Sequence, residues 1–190
     1  MRLLVLTDRA QARRPLPEVL AAAVDGGARW IVLREKDLPR ADRFALAEEI
    51  RALLGPVGGT LIVAGPDPLG GDAVHLSATG PVPPGVSLVG RSCHTAADVD
   101  RLSTEDYATV SPVYPSASKP GYGPALGPAG LGALAARTSK GVYGLGGVES
   151  AARARDCLAD GAAGVAVMGA VMRAGDPAAT VAALLSAVSP

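Results

Sequence analysis

The sequence predicts an α/β fold, a compact (β/α)8 TIM barrel, on three observations. Eight short apolar runs, most of them separated by helical patterns, succeed one another along 190 residues. Strand–helix alternation implies parallel βα units, and eight such units close into a barrel; an open doubly wound sheet rarely uses so many in so few residues. The third observation is the run Arg34-Glu35-Lys36-Asp37, which follows the apolar Ile31-Val32-Leu33 directly. Four adjacent charges fit a solvated strand-to-helix turn in which Asp37 helps to cap the next helix. They also fit reactive groups at the C-terminal end of a parallel strand, where barrel enzymes build their sites.

The elements follow in chain order. Leu3 to Leu6 is a first strand, ending in Thr7-Asp8. Pro17 to Val24 reads as a helix, with proline in its first turn and Gly26-Gly27 closing it. Trp30 to Leu33 is the second strand. In the next helix, Ala41 to Leu54, the residues Phe44, Ala47, Ile50 and Leu54 share one face, and Gly55-Pro56 ends it. Strands three, four and five are Thr60 to Val63, Ala73 to Leu76 and Val86 to Val89. The segments 64–72 and 77–85 that join them are rich in Gly and Pro, so helices three and four are expected to be shortened or missing. A helix from Ala96 to Leu102 precedes strand six, Tyr107 to Val110. After a long Pro/Ser/Gly loop come a helix from Gly130 to Arg137, strand seven from Val142 to Leu145 and a helix from Ser150 to Leu158. Strand eight, Val165 to Met168, and a helix from Pro177 to Ala187 complete a single domain over residues 1–190.

Composition bounds the function. Hydrophobic residues make up 48% but aromatics only 3%, so Ala, Val and Leu must fill the interior. Eighteen basic and eighteen acidic side chains balance to a net charge of zero, which argues against nucleic-acid and membrane-surface partners while leaving room for local anion pockets. No apolar run reaches the ~18 residues of a membrane span. The N-terminal apolar run is too short, and lacks the cleavage site, for a signal peptide. Cys93 and Cys157 form neither a metal-ligand spacing nor a disulfide framework, which points to a reduced, cytoplasmic setting.

Three further stretches carry possible chemistry. Ser116, Ser118 and Lys119, in the loop after strand six, could grip a phosphate; the competing reading is an ordinary surface loop. Gly146-Gly147 after strand seven and Met168-Gly169 after strand eight stand where barrels commonly bring backbone N–H groups to a phosphate. His94 follows strand five, where an imidazole could move protons near neutral pH. His75 lies inside an apolar run and reads as a core or barrel-lining residue, and Cys93 as a small buried side chain.

Four segments, Leu33-Arg34-Glu35-Lys36, the run 112–120, Gly146-Gly147-Val148 and the run 161–168, occur in this order. Together they resemble the thiamine phosphate synthase and thiazole tautomerase (TenI-like) superfamily over essentially the whole chain. The resemblance implies a (β/α)8 barrel binding a small phosphorylated heterocyclic substrate, and a homo-oligomer whose contacts cover apolar faces left by short helices. The synthases of this superfamily carry an Asn-Asp pair after strand three and a further Asp after strand four, which hold magnesium. Here these positions read Ala64-Gly65 and Ser77-Ala78-Thr79-Gly80, and Val32 replaces the usual Gln. Hard Mg²⁺ takes oxygen ligands, usually including carboxylates. The resemblance with these departures implies a metal-independent thiazole tautomerase, an isomerase with no cofactor. His94 would then be its acid or base, with Glu35 as a second catalytic candidate or an orienting ion-pair partner. Arg34 and Lys36 would hold the substrate carboxylate. Phosphate would sit on Gly146, Gly147, Met168 and Gly169, aided by Ser116, Ser118 and Lys119. Two alternatives stand beside it: a thiamine phosphate synthase whose Mg²⁺ is held by Asp67 or Asp72, and a non-catalytic binder of a phosphorylated metabolite.

Overall fold

A computed structural model of the chain describes residues 1–116 and 123–189. Eight parallel strands close into a barrel in sequence order: β1 (Leu3–Leu6), β2 (Trp30–Leu33), β3 (Thr60–Ala64), β4 (Ala73–Leu76), β5 (Leu88–Cys93), β6 (Tyr107–Val110), β7 (Gly141–Leu145) and β8 (Gly164–Val167). Closure is made by β1 on β8, with Leu3 opposite Val165 and Val5 opposite Val167.

Side chains alternate across each strand, so a single strand serves two cores. Leu4 and Leu6 point into the barrel with Val32, Ile62, Ala73, Tyr107, Tyr143 and Ala166. Leu3 and Val5 point outward, with Ile31, Leu33, Val63 and Val165, onto the helices. That second layer is made by α1 (Leu16–Asp25), α2 (Arg40–Leu54), α3 (Ala96–Asp100), α4 (Gly127–Ala135), α5 (Ala151–Ala159), α6 (Gly169–Met172) and α7 (Pro177–Val188). The helix starts follow their sequence signals. Thr95 and Asp98 form a capping box on α3, Ser150 caps α5, and Asp176 caps α7 through the N–H of Ala179.

Among the described residues no helix joins β3 to β4 or β4 to β5, as the Gly/Pro-rich connections predict. Leu69 fills the first gap: it is wholly buried, with its backbone in the left-handed region at φ 50°. Arg51 holds that turn by donating to the carbonyls of Leu69 (2.8 Å) and Pro68 (3.0 Å), and Asp67 accepts from the Leu69 N–H at 2.9 Å. On the outer face of β4 and β5, Val82 and Val86 pack on Val74, Leu76 and Val89.

Apart from shifts of up to three residues at element ends, as where α4 begins at Gly127 rather than Gly130, two elements differ from the sequence reading. Strand β5 runs to Cys93 rather than ending at Val89, because its second half is polar and gives no apolar signal. Arg91 is nonetheless buried, paired on the outer side with Glu105 of the segment before β6. The one-turn helix α6 after β8 had no periodicity to announce it.

Candidate active site

The C-terminal strand ends surround a cavity of about 270 Å³. Leu6, Val32 and Ala64 give it an apolar wall; Arg34, Lys36, His75, Ser77, Ser92, His94, Ser111 and Ser116 give it polar groups. A smaller recess of about 50 Å³ lies beside it, lined by Gly147, Val148, Glu149, Gly169 and Ala170. The two share Ser116, Leu145, Gly146 and Met168. An apolar chamber with cations on one side and a glycine-lined recess on the other suits a flat heterocycle carrying an anionic group.

The cations come from the end of β2. The Arg34 N–H donates to Thr7 Oγ1 at 2.9 Å, which fixes the turn out of the strand. The guanidinium then crosses to the residue just past β8, where Nη1 lies 2.9 Å from Met168 Sδ, with Asp8 Oδ2 4.0 Å away. A thioether is a weak acceptor, so most of the Arg34 hydrogen-bonding capacity is available to an anion. Lys36 lines the same side. Between them Glu35 lines neither cavity. Its carboxylate, 3% exposed, accepts from the Arg9 N–H at 3.1 Å and from Arg9 Nη1 at 2.9 Å. The geometry therefore gives Glu35 the ion-pairing role and not that of a proton carrier.

His94 stands just past β5. Asp98 accepts from the His94 and Thr95 N–H groups, each at 2.9 Å, so the α3 capping box also holds the histidine backbone. Its Nδ1 lies 2.9 Å from the Ser111 carbonyl oxygen. A carbonyl only accepts, so Nδ1 carries the proton and Nε2 is the acceptor of the neutral ring.

The recess is shaped by backbone. The segment after β6 is tied to the end of β7: Val113 donates to Leu145 O at 2.9 Å and Tyr114 to Gly146 O at 3.0 Å. Gly146 and Gly147 take φ of 95° and 65°, and a Cβ on Gly147 would stand 2.5 Å from the Pro115 carbonyl oxygen. Arg153 stacks over the Tyr114 ring at 4.7 Å and donates to Gly147 O at 2.7 Å. Arg173 packs over Gly169 and pairs with Glu149 at 2.6 Å, offsetting the acidic group at the recess. Ser118 and Lys119, expected on this side, lie outside the described residues.

The donor set does not fit magnesium. Among the described residues no carboxylate lines the large cavity, and no cluster of three metal-binding side chains occurs. Asp67 is bound to Arg40 at 2.7 Å and to the Leu69 N–H, and those hydrogen bonds hold its pKa low. Asp72 stands at the opposite end of the barrel, before β4, where it accepts from Ser87. Behind Ala64 the nearby charge is a cation: half-buried Arg43 donates to the Ala64 carbonyl at 2.5 Å.

Of the residues singled out in the sequence, the structure places Arg34, Lys36 and His94 on the large cavity, Ser116, Gly146 and Met168 on both cavities, and Gly147 and Gly169 on the recess. Sequence reasoning missed Ser77, Ser92 and Ser111. Alternation was the available signal for Ser92, since Gly90 and Ser92 share the inner face of β5. His75 is a satisfied barrel-lining residue, as expected, and Cys93 is buried with its thiol pushed up to about 11 by burial.

These features define a (β/α)8 barrel with its candidate site at the C-terminal strand ends. The chain belongs to the thiamine monophosphate synthase family, whose model matches residues 3–171. It is 36% identical to a putative thiamine-phosphate synthase of Geobacter sulfurreducens, over 99% of this chain and 94% of that protein. Identity to the thiamine-phosphate synthase of Methanoculleus marisnigri is 37%, over 92% of this chain and 89% of that one. Thiamine phosphate pyrophosphorylase from Pyrococcus furiosus superposes with a TM-score of 0.85 at 24% identity, covering 98% of this chain and 95% of that one, a likeness of fold.

Proposed function

We propose that this barrel is a thiamine-biosynthesis enzyme that joins a thiazole phosphate to an activated pyrimidine. The observation that carries it is full-length similarity to proteins named thiamine-phosphate synthase, combined with a cavity offering cations opposite a glycine-lined recess. The thiazole phosphate would rest in the recess, against backbone N–H groups near Gly146, Gly147 and Gly169. The pyrimidine would lie on the apolar wall with its pyrophosphate toward Arg34 and Lys36. The thiazole nitrogen forms a bond to the pyrimidine methylene carbon as the carbon–oxygen bond breaks, and pyrophosphate leaves with that electron pair. Arg34 and Lys36 would stabilise the charge that develops on it.

The carboxylate-free lining favours a second reading, a metal-independent thiazole tautomerase. Its reaction moves a proton and expels no pyrophosphate. His94, held by Ser111 and Asp98, supplies an acceptor nitrogen for that proton, and Arg34 or Lys36 would hold the substrate carboxylate.

One assay separates the two. The purified protein is given hydroxymethylpyrimidine pyrophosphate with thiazole phosphate, and separately the non-aromatic thiazole carboxylate phosphate, each with Mg²⁺ and with EDTA. Thiamine phosphate formation supports the synthase. Aromatisation that persists in EDTA, without thiamine phosphate, supports the tautomerase. Absence of both reactions, with thiazole phosphate still bound, leaves a non-catalytic binder.

A further inference from the structure

The rim of the recess holds an ion pair whose arginine is divided between two partners. Arg173, just past α6, lays its guanidinium across Gly169, where any Cβ would overlap its nitrogens. Gly169 lines the recess, so the cation lies against the recess wall, and its partner Glu149 lines the recess as well. Nη2 donates to Glu149 Oε1 at 2.6 Å, and Nη1 donates to Gln11 Oε1 in the loop after β1. The Gln11 amide donates in turn through Nε2 to Asp8. Its orientation follows from those two partners, because an ionised carboxylate only accepts and a guanidinium only donates.

The two ends of the guanidinium are held unequally. Gln11 ties Nη1 to a loop that is itself pinned: Asp8 accepts from the Ala10 N–H at 3.1 Å, and the Arg13 N–H donates to Met172 O at 3.1 Å. The pair on the other end is open to water, with side chains 33% and 42% exposed. An ion pair at such exposure is worth little, so exchanging its carboxylate for another anion costs little. A phosphate monoester carries about two negative charges near neutral pH and several acceptor oxygens. Arginine binds such a group through charge-assisted hydrogen bonds, which are among the stronger ones. Without the exchange, phosphate and the Glu149 carboxylate would face each other as like charges across a recess of about 50 Å³.

We propose that Arg173 is a phosphate-binding residue of the recess, and that Glu149 keeps its place until phosphate arrives. Phosphate displaces the carboxylate from Nη2 while Gln11 keeps Nη1 fixed. Glu149 thereby sets a threshold for the ligand: a dianionic phosphate displaces it, and a singly charged or neutral group does not. Gln11 is a positioning residue, acting through Arg173. The occupant of the recess rests on the function proposed above; the exchange between Glu149 and phosphate goes beyond it.

Calorimetric binding of thiazole phosphate to wild type, Arg173→Gln, Glu149→Gln and the double variant tests this, with folding checked by circular dichroism. Arg173→Gln is expected to weaken binding about tenfold. Glu149→Gln is expected to tighten it about threefold or more, since Nη2 no longer has a carboxylate to surrender. In the Arg173→Gln background, Glu149→Gln is expected to change affinity less than twofold. A gain from Glu149→Gln that persists without Arg173 would show plain repulsion by Glu149 and overturn the exchange. Equal affinity in wild type and Arg173→Gln would overturn it too, while leaving phosphate in the recess. Should Arg173→Gln not fold, Glu149→Gln alone decides, and unchanged or weaker binding there overturns the proposal. A wild type that does not bind thiazole phosphate at all overturns the function proposed above, and the exchange with it.

Discussion

Nδ1 of His94 lies 2.9 Å from the carbonyl oxygen of Ser111, so the loop after β6 sets the tautomer of a histidine placed by β5. An imidazole locked this way presents a defined nitrogen, which is what proton transfer demands. In the tautomerase reading, His94→Ala is expected to lower kcat by about 10²–10⁴-fold while KM changes little. Steady-state kinetics on the non-aromatic thiazole carboxylate phosphate checks this. A variant within threefold of wild-type kcat removes His94 from the chemistry.

Gly147 tests the recess. With φ of 65° and a virtual Cβ 2.5 Å from the Pro115 carbonyl oxygen, alanine there must push the loop after β6 away from the end of β7. Strain of this kind costs on the order of 1–3 kcal/mol. Gly147→Ala is expected to weaken inorganic phosphate and thiazole phosphate binding together, about tenfold or more, with the barrel still folded by circular dichroism. Unchanged phosphate affinity would move the anion site elsewhere.

Most of the barrel was legible because each inner and outer strand face is apolar, which makes strands such as Leu3–Leu6 and Tyr107–Val110 stand out as short hydrophobic runs. The truncated connections were legible too, since Gly and Pro between β3 and β5 cannot sustain a helix. The second half of β5 was not. Arg91 and Ser92 look like loop residues until Glu105 is seen to pair with one and His75 with the other, and both partners are distant in sequence. In the charged run after β2, Arg34 and Lys36 line the large cavity. The opposite fate of Glu35 depended on Arg9, which no local pattern connects to it.

The buried pair Arg91–Glu105 links outer-face burial to acid stability. Burial pushes the Glu105 pKa up, but hydrogen bonds from the Ser103 N–H and from Arg91 outweigh it, so the net shift is downward from 4.5. A carboxylate with a depressed folded-state pKa contributes stability that is present above its unfolded value and is lost as pH falls through the folded one. The protein is therefore expected to lose this contribution below about pH 4.5, and Glu105→Gln to lose it at every pH. Removing one partner of a buried pair costs about 3–5 kcal/mol. Urea unfolding at pH 7 and pH 3.5 checks both: the gap between wild type and Glu105→Gln should narrow at the lower pH. A constant gap would show that Glu105 contributes by packing alone.

Leu69 takes the place that a helix fills in a complete βα unit. Its side chain is wholly buried, and the backbone holding it is fixed by Arg51 and Asp67. Truncation to alanine leaves the left-handed backbone unchanged in kind and empties the space under β3, so the loss is a cavity term of about 2–5 kcal/mol. Asp67→Asn should cost less, because an amide oxygen still accepts from the Leu69 N–H while the ion pair with exposed Arg40 is worth little. The order expected in chemical denaturation is therefore Leu69→Ala well below Asp67→Asn, with Asp67→Asn close to wild type. The same Asp67→Asn variant bears on the metal question. If Asp67 held magnesium for a synthase reaction, activity would fall with it. An Asp67 that serves only the turn leaves turnover unchanged, with or without EDTA.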